Sequence, residues 1–316
     1  MRVVVVAGGV GGARFLRGLR ESLRGDPDAE ITAVVNVADD AWMNGLRVTT
    51  DLDSIMYTLA GENDEERGWG RRGETERISP ELEAYGLGVP WFTLGDLDFA
   101  THIARTSLLR EGLPLSAATA RLCARWELGV RLLPATDEEV ETRVHTADGR
   151  DLHFQEWWVR HRAKVQAERF EFRGAESAAA APGVLESIAQ ADRVILAPSN
   201  PVVSIGAVLA VTGIREAILR TPARVVGVSP IIAGSVVRGM ADACLSAIGV
   251  ETSAAAVGLH YGARSRGGLL DGWLVDTTDS AALPALAAAD LTARAVPLWM
   301  SDLERSRQLA SDALAL

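Results

Sequence analysis

Four aspartates fall close together, Asp39, Asp40, Asp51 and Asp53, in the stretch "NVADDAWMNGLRVTTDLDSIMYTLAG" at 36–61. Carboxylates gathered this way can hold Mg²⁺. That ion takes one or two of them and fills its other positions with phosphate oxygens and water. A purely local role is also open. Thr50 and Asp53 have the spacing of a helix capping box, and acids favour a helix N-terminus with or without a metal. Asp39 and Asp40 do not share that explanation, because they close an apolar strand-like run, Ile31–Asn36. The cluster as a whole therefore points to metal or substrate binding.

A phosphate would suit the other notable segment, "VVVVAGGVGGARFL" at 3–16. Val3–Val6 is a β-branched run suited to a strand buried on both faces. Gly8, Gly9, Gly11 and Gly12 let the backbone turn tightly and approach a ligand. A helix follows from Ala13, so the turn sits at a helix N-terminus, where free N–H groups favour anions. The spacing fits neither common pattern. A dinucleotide fingerprint starting at Gly9 needs glycine where Arg14 stands, and a Walker loop needs glycine there too, followed by lysine and a hydroxyl. Hydride transfer and γ-phosphate cleavage are both disfavoured. A ligand-free tight turn remains the plainer alternative, though four glycines exceed what a turn requires.

The elements that must position these groups alternate. Strand-like runs are Val3–Ala7, Ile31–Asn36, Val194–Ala197, Val225–Ser229, Ala255–Leu259, Trp273–Val275 and Ala293–Val296, with helices between them. Such alternation predicts an α/β fold, a Rossmann-like, doubly wound and mostly parallel sheet. Residues 62–180 differ in character. They hold two amphipathic helices, Phe99–Arg110 and Leu115–Trp126, and a hairpin of Glu141–Thr146 with Asp151–Trp157. We read 62–180 as an α+β insertion covering the C-terminal edge of the sheet, and 1–61 with 181–316 as the nucleotide-binding domain.

Ligands of open α/β sheets sit beyond the carboxyl ends of the strands. Four such ends carry small, polar or acidic groups: the glycine turn, "NVADD" at 36–40, "LAPSNPVVSIG" at 196–206 and "GVSPIIAGSVVRGMAD" at 227–242. Their convergence predicts a nucleotide cleft. Candidate contacts are Gly9, Val10, Gly11, Gly12, Ser199, Asn200, Pro201, Ser204, Ser229, Gly234 and Arg238. Ser199 and Asn200 could equally close turns and cap the next helix, and Arg238 could be a solvated helix residue. Eight tryptophans stand out among few aromatics. Trp42, Trp69, Trp91, Trp157 and Trp158 lie near the acids or in the insertion, where they could stack on a planar ring or simply pack.

The bulk numbers set limits. A chain of 316 residues with 48% hydrophobic content can bury a substantial core. A net charge of −10 argues against nucleic acid or an anionic membrane as partner. Cys123 and Cys244 show neither metal spacing nor a disulfide framework, which fits a reducing cytoplasm. The glycines interrupt the first apolar run too early for a secretion signal, and no run is long enough to span a membrane.

The blocks "GGVGGARFL", "VVNVADDAWMNGLRVTTDLDSIMYTLAG", "RGWGRRGET", "WFTLGDLDFATHIARTSLLREG", "LLPATDEEVETRV", "HFQEWWVRHRAK", "ILAPSNPVVSIG" and "SPIIAGSVVRGMAD" run nearly end to end. In this order they resemble the 2-phospho-L-lactate transferase family of coenzyme F-420 biosynthesis, most closely its actinobacterial branch. The resemblance implies a Mg²⁺-dependent phosphotransferase for substituted phosphate groups. Its donor is a guanosine diphosphate bearing lactyl or enolpyruvyl on the terminal phosphate. Its acceptor is the ribityl hydroxyl of the deazaflavin Fo. GMP leaves, and F-420-0 or its dehydro form results. The resemblance also implies metal or catalytic roles for Asp39, Asp51 and Asp53, and Fo contacts at Asp53 and Thr93, the latter often basic in relatives. The insertion should supply further Fo contacts from His153, Gln155 and Trp158. A cytoplasmic homodimer is expected. Two other readings compete: a non-enzymatic nucleotide-sugar-binding regulator on the same sheet, and an NAD-linked oxidoreductase, which Arg14 disfavours.

Overall fold

The computed structural model describes residues 1–316. Its centre is one seven-stranded sheet: β1 (Arg2–Ala7), β2 (Glu30–Val35), β3 (Arg131–Pro134), β4 (Arg193–Leu196), β5 (Arg224–Val228), β6 (Gly272–Val275) and β7 (Thr292–Ala295). The spatial order is β7-β6-β5-β4-β1-β2-β3, and every neighbouring pair is parallel. The order reverses direction at β1, so the crevice between β1 and β4 is the switch point where such sheets bind ligands. The expected Rossmann-like sheet is thus present.

Burial on both faces explains the valine run. Val4 and Val6 enter one apolar core, and Val3, Val5 and Ala7 enter the core on the opposite face. The second core is closed by α1 (Gly9–Ser22), α2 (Thr50–Ala60) and the C-terminal helix Leu303–Ala315. Gly18 sets one of these approaches, because a Cβ there would collide with the Ser306 backbone.

Three elements differ from expectation. Ala255–Leu259 is not a strand but lies within the helix Ala254–Tyr261, whose Ser253 caps it by accepting from Ala256 N at 3.1 Å. Residues 62–180 do not stand wholly outside the sheet, since β3 is its edge strand. The hairpin Glu141–Thr146 with Asp151–His153 gains a third strand, Ala167–Arg173, and its second strand stops at His153. Glu156–Arg160 then forms a wide π-type helical turn, so Trp157 and Trp158 are helical rather than strand residues. The helix Asp96–Arg110, here α3, follows the expected course, and its buried Arg105 reaches Asp53 of α2. No helix is long and apolar enough to cross a membrane.

Candidate functional site

The glycine segment is tighter than a loop. α1 begins at Gly9, directly after Gly8, so the glycines form the helix's first turn. Gly9 holds a left-handed φ of +59°. Gly11 approaches β4's loop so closely that a Cβ would run into the Pro198 carbonyl. Ser199 ties the two loops together: its hydroxyl donates to Gly8 O at 2.7 Å and accepts from Gly8 N at 3.1 Å. The switch-point crevice is therefore a built feature, held open by backbone rather than by long side chains.

The four aspartates split into two pairs. Asn36, at the end of β2, donates from one amide nitrogen to Asp39 Oδ2 at 2.9 Å and Asp51 Oδ2 at 3.0 Å. Burial raises the Asp39 carboxyl well above the usual range, and Asp51 raises it further. Burial likewise lifts Asp51 to about 6, opposed by hydrogen bonds from Asn36 and the Gly9 backbone. Asp39 Oδ1 and Thr142 Oγ1 are buried side by side with no other partner, and the Thr142 hydroxyl opposes the rise of the Asp39 carboxyl. Two carboxylates that share one amide and meet no cationic side chain fit a divalent cation.

The other pair is neutralised by arginine. Asp53 forms a buried ion pair with Arg105 of α3 and accepts from Thr49 Oγ1 at 3.2 Å. Asp40 faces Arg47 at 3.4 Å. The expected three-acid metal set of Asp39, Asp51 and Asp53 is therefore not assembled, and no group of three potential ligands converges anywhere in the chain. The expected Thr50–Asp53 capping box is also absent. Thr49 is the N-cap residue, and its hydroxyl serves Asp53 instead of the helix N–H groups.

Two cavities meet beside the first pair. A glycine chamber of about 300 Å³ is bounded by Gly9, Val10 and Gly11, by Asp39 and Asp51, and by the loops after β4 and β5. Asn200, Ser204, Ser229 and Arg238 reach its wall as expected. Two of these are already engaged. Asn200 Oδ1 accepts from Val202 N at 2.9 Å, and Ser229 Oγ donates to Ile231 O at 3.0 Å. Three expected contacts lie elsewhere. Gly12 packs under Ala7, Pro201 starts a buried π-type turn, and Gly234 is the tip of the small hairpin Ile231–Val236. Their glycine or proline character serves backbone geometry, which sequence alone does not separate from ligand approach.

An aromatic chamber of about 320 Å³ lies on the other side of α2. Tyr57, Trp69, Trp91, Phe92 and Trp158 wall it, with Asp53, Thr93, Asp98 and His102 as its polar groups. The expected contacts Thr93, Gln155 and Trp158 thus come together here. Thr50, Ser54, Gln155 and Trp158 border both chambers. Gln155 Nε2 donates to Asp39 O and to Thr50 Oγ1, each at 3.2 Å, which locks the partition to the acid loop. The two tryptophans divide the work of the turn. Trp157 is fully buried and donates to Val165 O at 2.7 Å, whereas Trp158 stacks on Phe154 and faces the cleft. His153 faces neither chamber. Its Nδ1 accepts from Gln155 N at 3.0 Å, its Nε2 lies 3.2 Å from Asp40 O, and it serves to hold those loops.

Sequence reasoning passed over several groups. Arg14 lines the glycine chamber near Arg238, and neither guanidinium has an acidic partner. Burial, and then Arg14, lowers the Arg238 pKa, the mark of two cations facing one another. The signal for Arg14 was its place where glycine is usual. Trp299, 57% exposed, stands at the rim of the same chamber. Asn36, His102 and Arg105 were not singled out, because their bonds to Asp51 and Asp53 join residues well apart in the chain.

Fold and site define an α/β protein of Rossmann-like type with a two-chambered cleft at the sheet's switch point, one chamber glycine-lined and acidic, the other aromatic. The family model for the 2-phospho-L-lactate transferase CofD matches residues 3–312. A Nocardia farcinica protein called phosphoenolpyruvate transferase is 56% identical, covering 100% of this chain and 94% of its own length. A Streptomyces coelicolor protein of the same name is 56% identical, covering 100% and 98%. The crystal structure of a UPF0052 family member from Bacillus halodurans superposes with a TM-score of 0.62 at 18% identity, covering 99% of this chain and 98% of that one, and so shares the fold. The chain belongs to the 2-phospho-L-lactate transferase CofD family and is a transferase.

Proposed function

We propose that the chain transfers a phosphoenolpyruvyl group from its guanosine-diphosphate-activated donor to the terminal ribityl hydroxyl of the deazaflavin Fo, as a step of coenzyme F-420 biosynthesis. GMP leaves and dehydro-F-420-0 forms. The names of its relatives favour the enolpyruvyl over the lactyl donor. The observation that carries the reading is the partition shared by the two chambers. It brings a wall suited to a planar ring beside an acidic, glycine-lined crevice suited to phosphates.

In this reading the ribityl hydroxyl crosses the partition near Thr50 and Ser54 and attacks the phosphorus that bears the enolpyruvyl group. The new P–O bond forms as the bond to the bridging oxygen breaks, and GMP departs with that oxygen. N–H groups of the first turn of α1 face the phosphates. Arg14 and Arg238 compensate the donor's negative charge. Asp39 and Asp51 would hold Mg²⁺, which when bound neutralises charge on the phosphate oxygens. Gln155 and Trp158 fix where the hydroxyl can stand, and alignment is the larger part of catalysis for such transfers. The hydroxyl proton passes to solvent, because a loose transition state does not require a strong base.

The test is to incubate the protein with Fo, Mg²⁺ and each guanylated donor, then identify products by mass. Dehydro-F-420-0 and GMP in equal amounts from the enolpyruvyl donor are expected. No Fo-derived product from either donor would reject the proposal.

A further inference from the structure

Asp98, His102 and Arg105 recur on α3 at the spacing that stacks side chains along one helix face. All three are buried, with His102 2% exposed and Arg105 1%. Arg105 pairs with Asp53 of α2 and also donates from Nη1 to His102 Nδ1 at 3.1 Å. A guanidinium has only donors to offer. Nδ1 also lies 3.5 Å from Asp53 Oδ2, but the guanidinium is nearer and can only donate, so Nδ1 is the unprotonated nitrogen and the ring is the neutral Nε2–H tautomer. Burial, foremost, holds the imidazole down at about 4, which keeps it uncharged at neutral pH. Nε2 is buried without a partner, and His102 belongs to the wall of the aromatic chamber. A donor buried unpaired is costly until an acceptor reaches it.

We infer that His102 Nε2–H donates a hydrogen bond to an oxygen on the edge of the planar ring that the aromatic chamber takes. Arg105 and Asp53 are positioning residues that fix its tautomer. The inference rests on the deazaflavin reading above and adds a ligand specification to it. The ring must carry a carbonyl or phenolate oxygen at that edge. A ring with N–H there would set donor against donor and be rejected.

Long-range ¹H–¹⁵N NMR on the ligand-free protein should show His102 neutral at pH 7 with its proton on Nε2. A charged ring or an Nδ1–H tautomer overturns the inference and leaves the deazaflavin reading untouched. The double variant Asp53→Asn with Arg105→Gln leaves no lone charge and should populate the Nδ1–H form. An unchanged tautomer would overturn the positioning role. Titration of Fo by its own fluorescence tests the ligand. His102→Phe keeps a planar ring without the donor and should weaken Fo binding about tenfold, with GDP affinity unchanged. His102→Gln restores an N–H near the same place and should recover most of the loss. Equal Fo affinity in the parent and in folded His102→Phe overturns the inference. A parent that binds no Fo, with the NMR result intact, overturns the deazaflavin reading and the ligand specification together.

Discussion

The carboxyls of Asp39 and Asp51, twelve positions apart in sequence, share a single donor, the Asn36 amide nitrogen, at 2.9 and 3.0 Å. One amide cannot neutralise two carboxylates, of which Asp39 is buried and Asp51 half-buried. Each carboxyl is consequently pushed up by burial, and Asp39 further by its neighbour. No cationic side chain of the protein pairs with either carboxyl.

Replacing Asp39 by Asn should abolish turnover while the fold survives. The amide is nearly the same size but removes one anionic ligand. Measured rates across a Mg²⁺ titration check this. Near-normal turnover with unchanged Mg²⁺ dependence would remove Asp39 from the site.

Stability should carry the signature of Asp51. Its folded pKa, about 6, lies above the ordinary 3.8. The stabilisation from its protonated form is therefore complete below about pH 4 and lost as pH rises through about 6. Asp51→Asn should melt above the parent by roughly 2–4 °C at pH 8, with a smaller gain at pH 5. Calorimetry at the two pH values decides. An equal offset at both would mean that Asp51 is not held protonated by the fold.

Gly11→Val should weaken GDP binding at least about tenfold, with Fo binding spared, because the branched side chain must displace the Pro198 carbonyl and with it the crevice wall. Isothermal titration of each ligand separates the two effects. Unchanged GDP affinity in the folded variant would show that the nucleotide binds elsewhere.

Adjacent tryptophans should behave differently. Trp157→Ala removes a fully buried ring with a satisfied indole N–H and should cost about 3–5 kcal/mol of stability. Trp158→Ala should leave the melting temperature nearly unchanged and raise the KM for Fo. Denaturant unfolding and steady-state kinetics read the two outcomes. The assignment fails if both variants keep the parent's KM.

Much of this architecture is legible in the chain. Val3–Val6 can hardly be anything but an interior strand, and a glycine turn before a helix places the crevice. Ala255–Leu259 misleads because a short apolar run suits strand and buried helix alike. The cap at Ser253 decides for helix. β3 is only four residues long and too short to show a period. The site is harder. Acids close in sequence look like one cluster, yet Asp53 is claimed by Arg105, 52 positions away. Pairings of that range leave no local pattern. The separation of Trp157 from Trp158 follows alternation in a strand as readily as rotation around a helical turn, so the outcome is readable where the element is not.

The partition made by Gln155 and Trp158 has a kinetic consequence. The two chambers lie side by side, sharing only Thr50, Ser54, Gln155 and Trp158, and neither is an enclosed cavity. On the proposed reaction, neither substrate should have to arrive first. Initial-rate lines should therefore intersect, GMP should inhibit competitively against the guanylated donor alone, and neither order of addition should be obligatory.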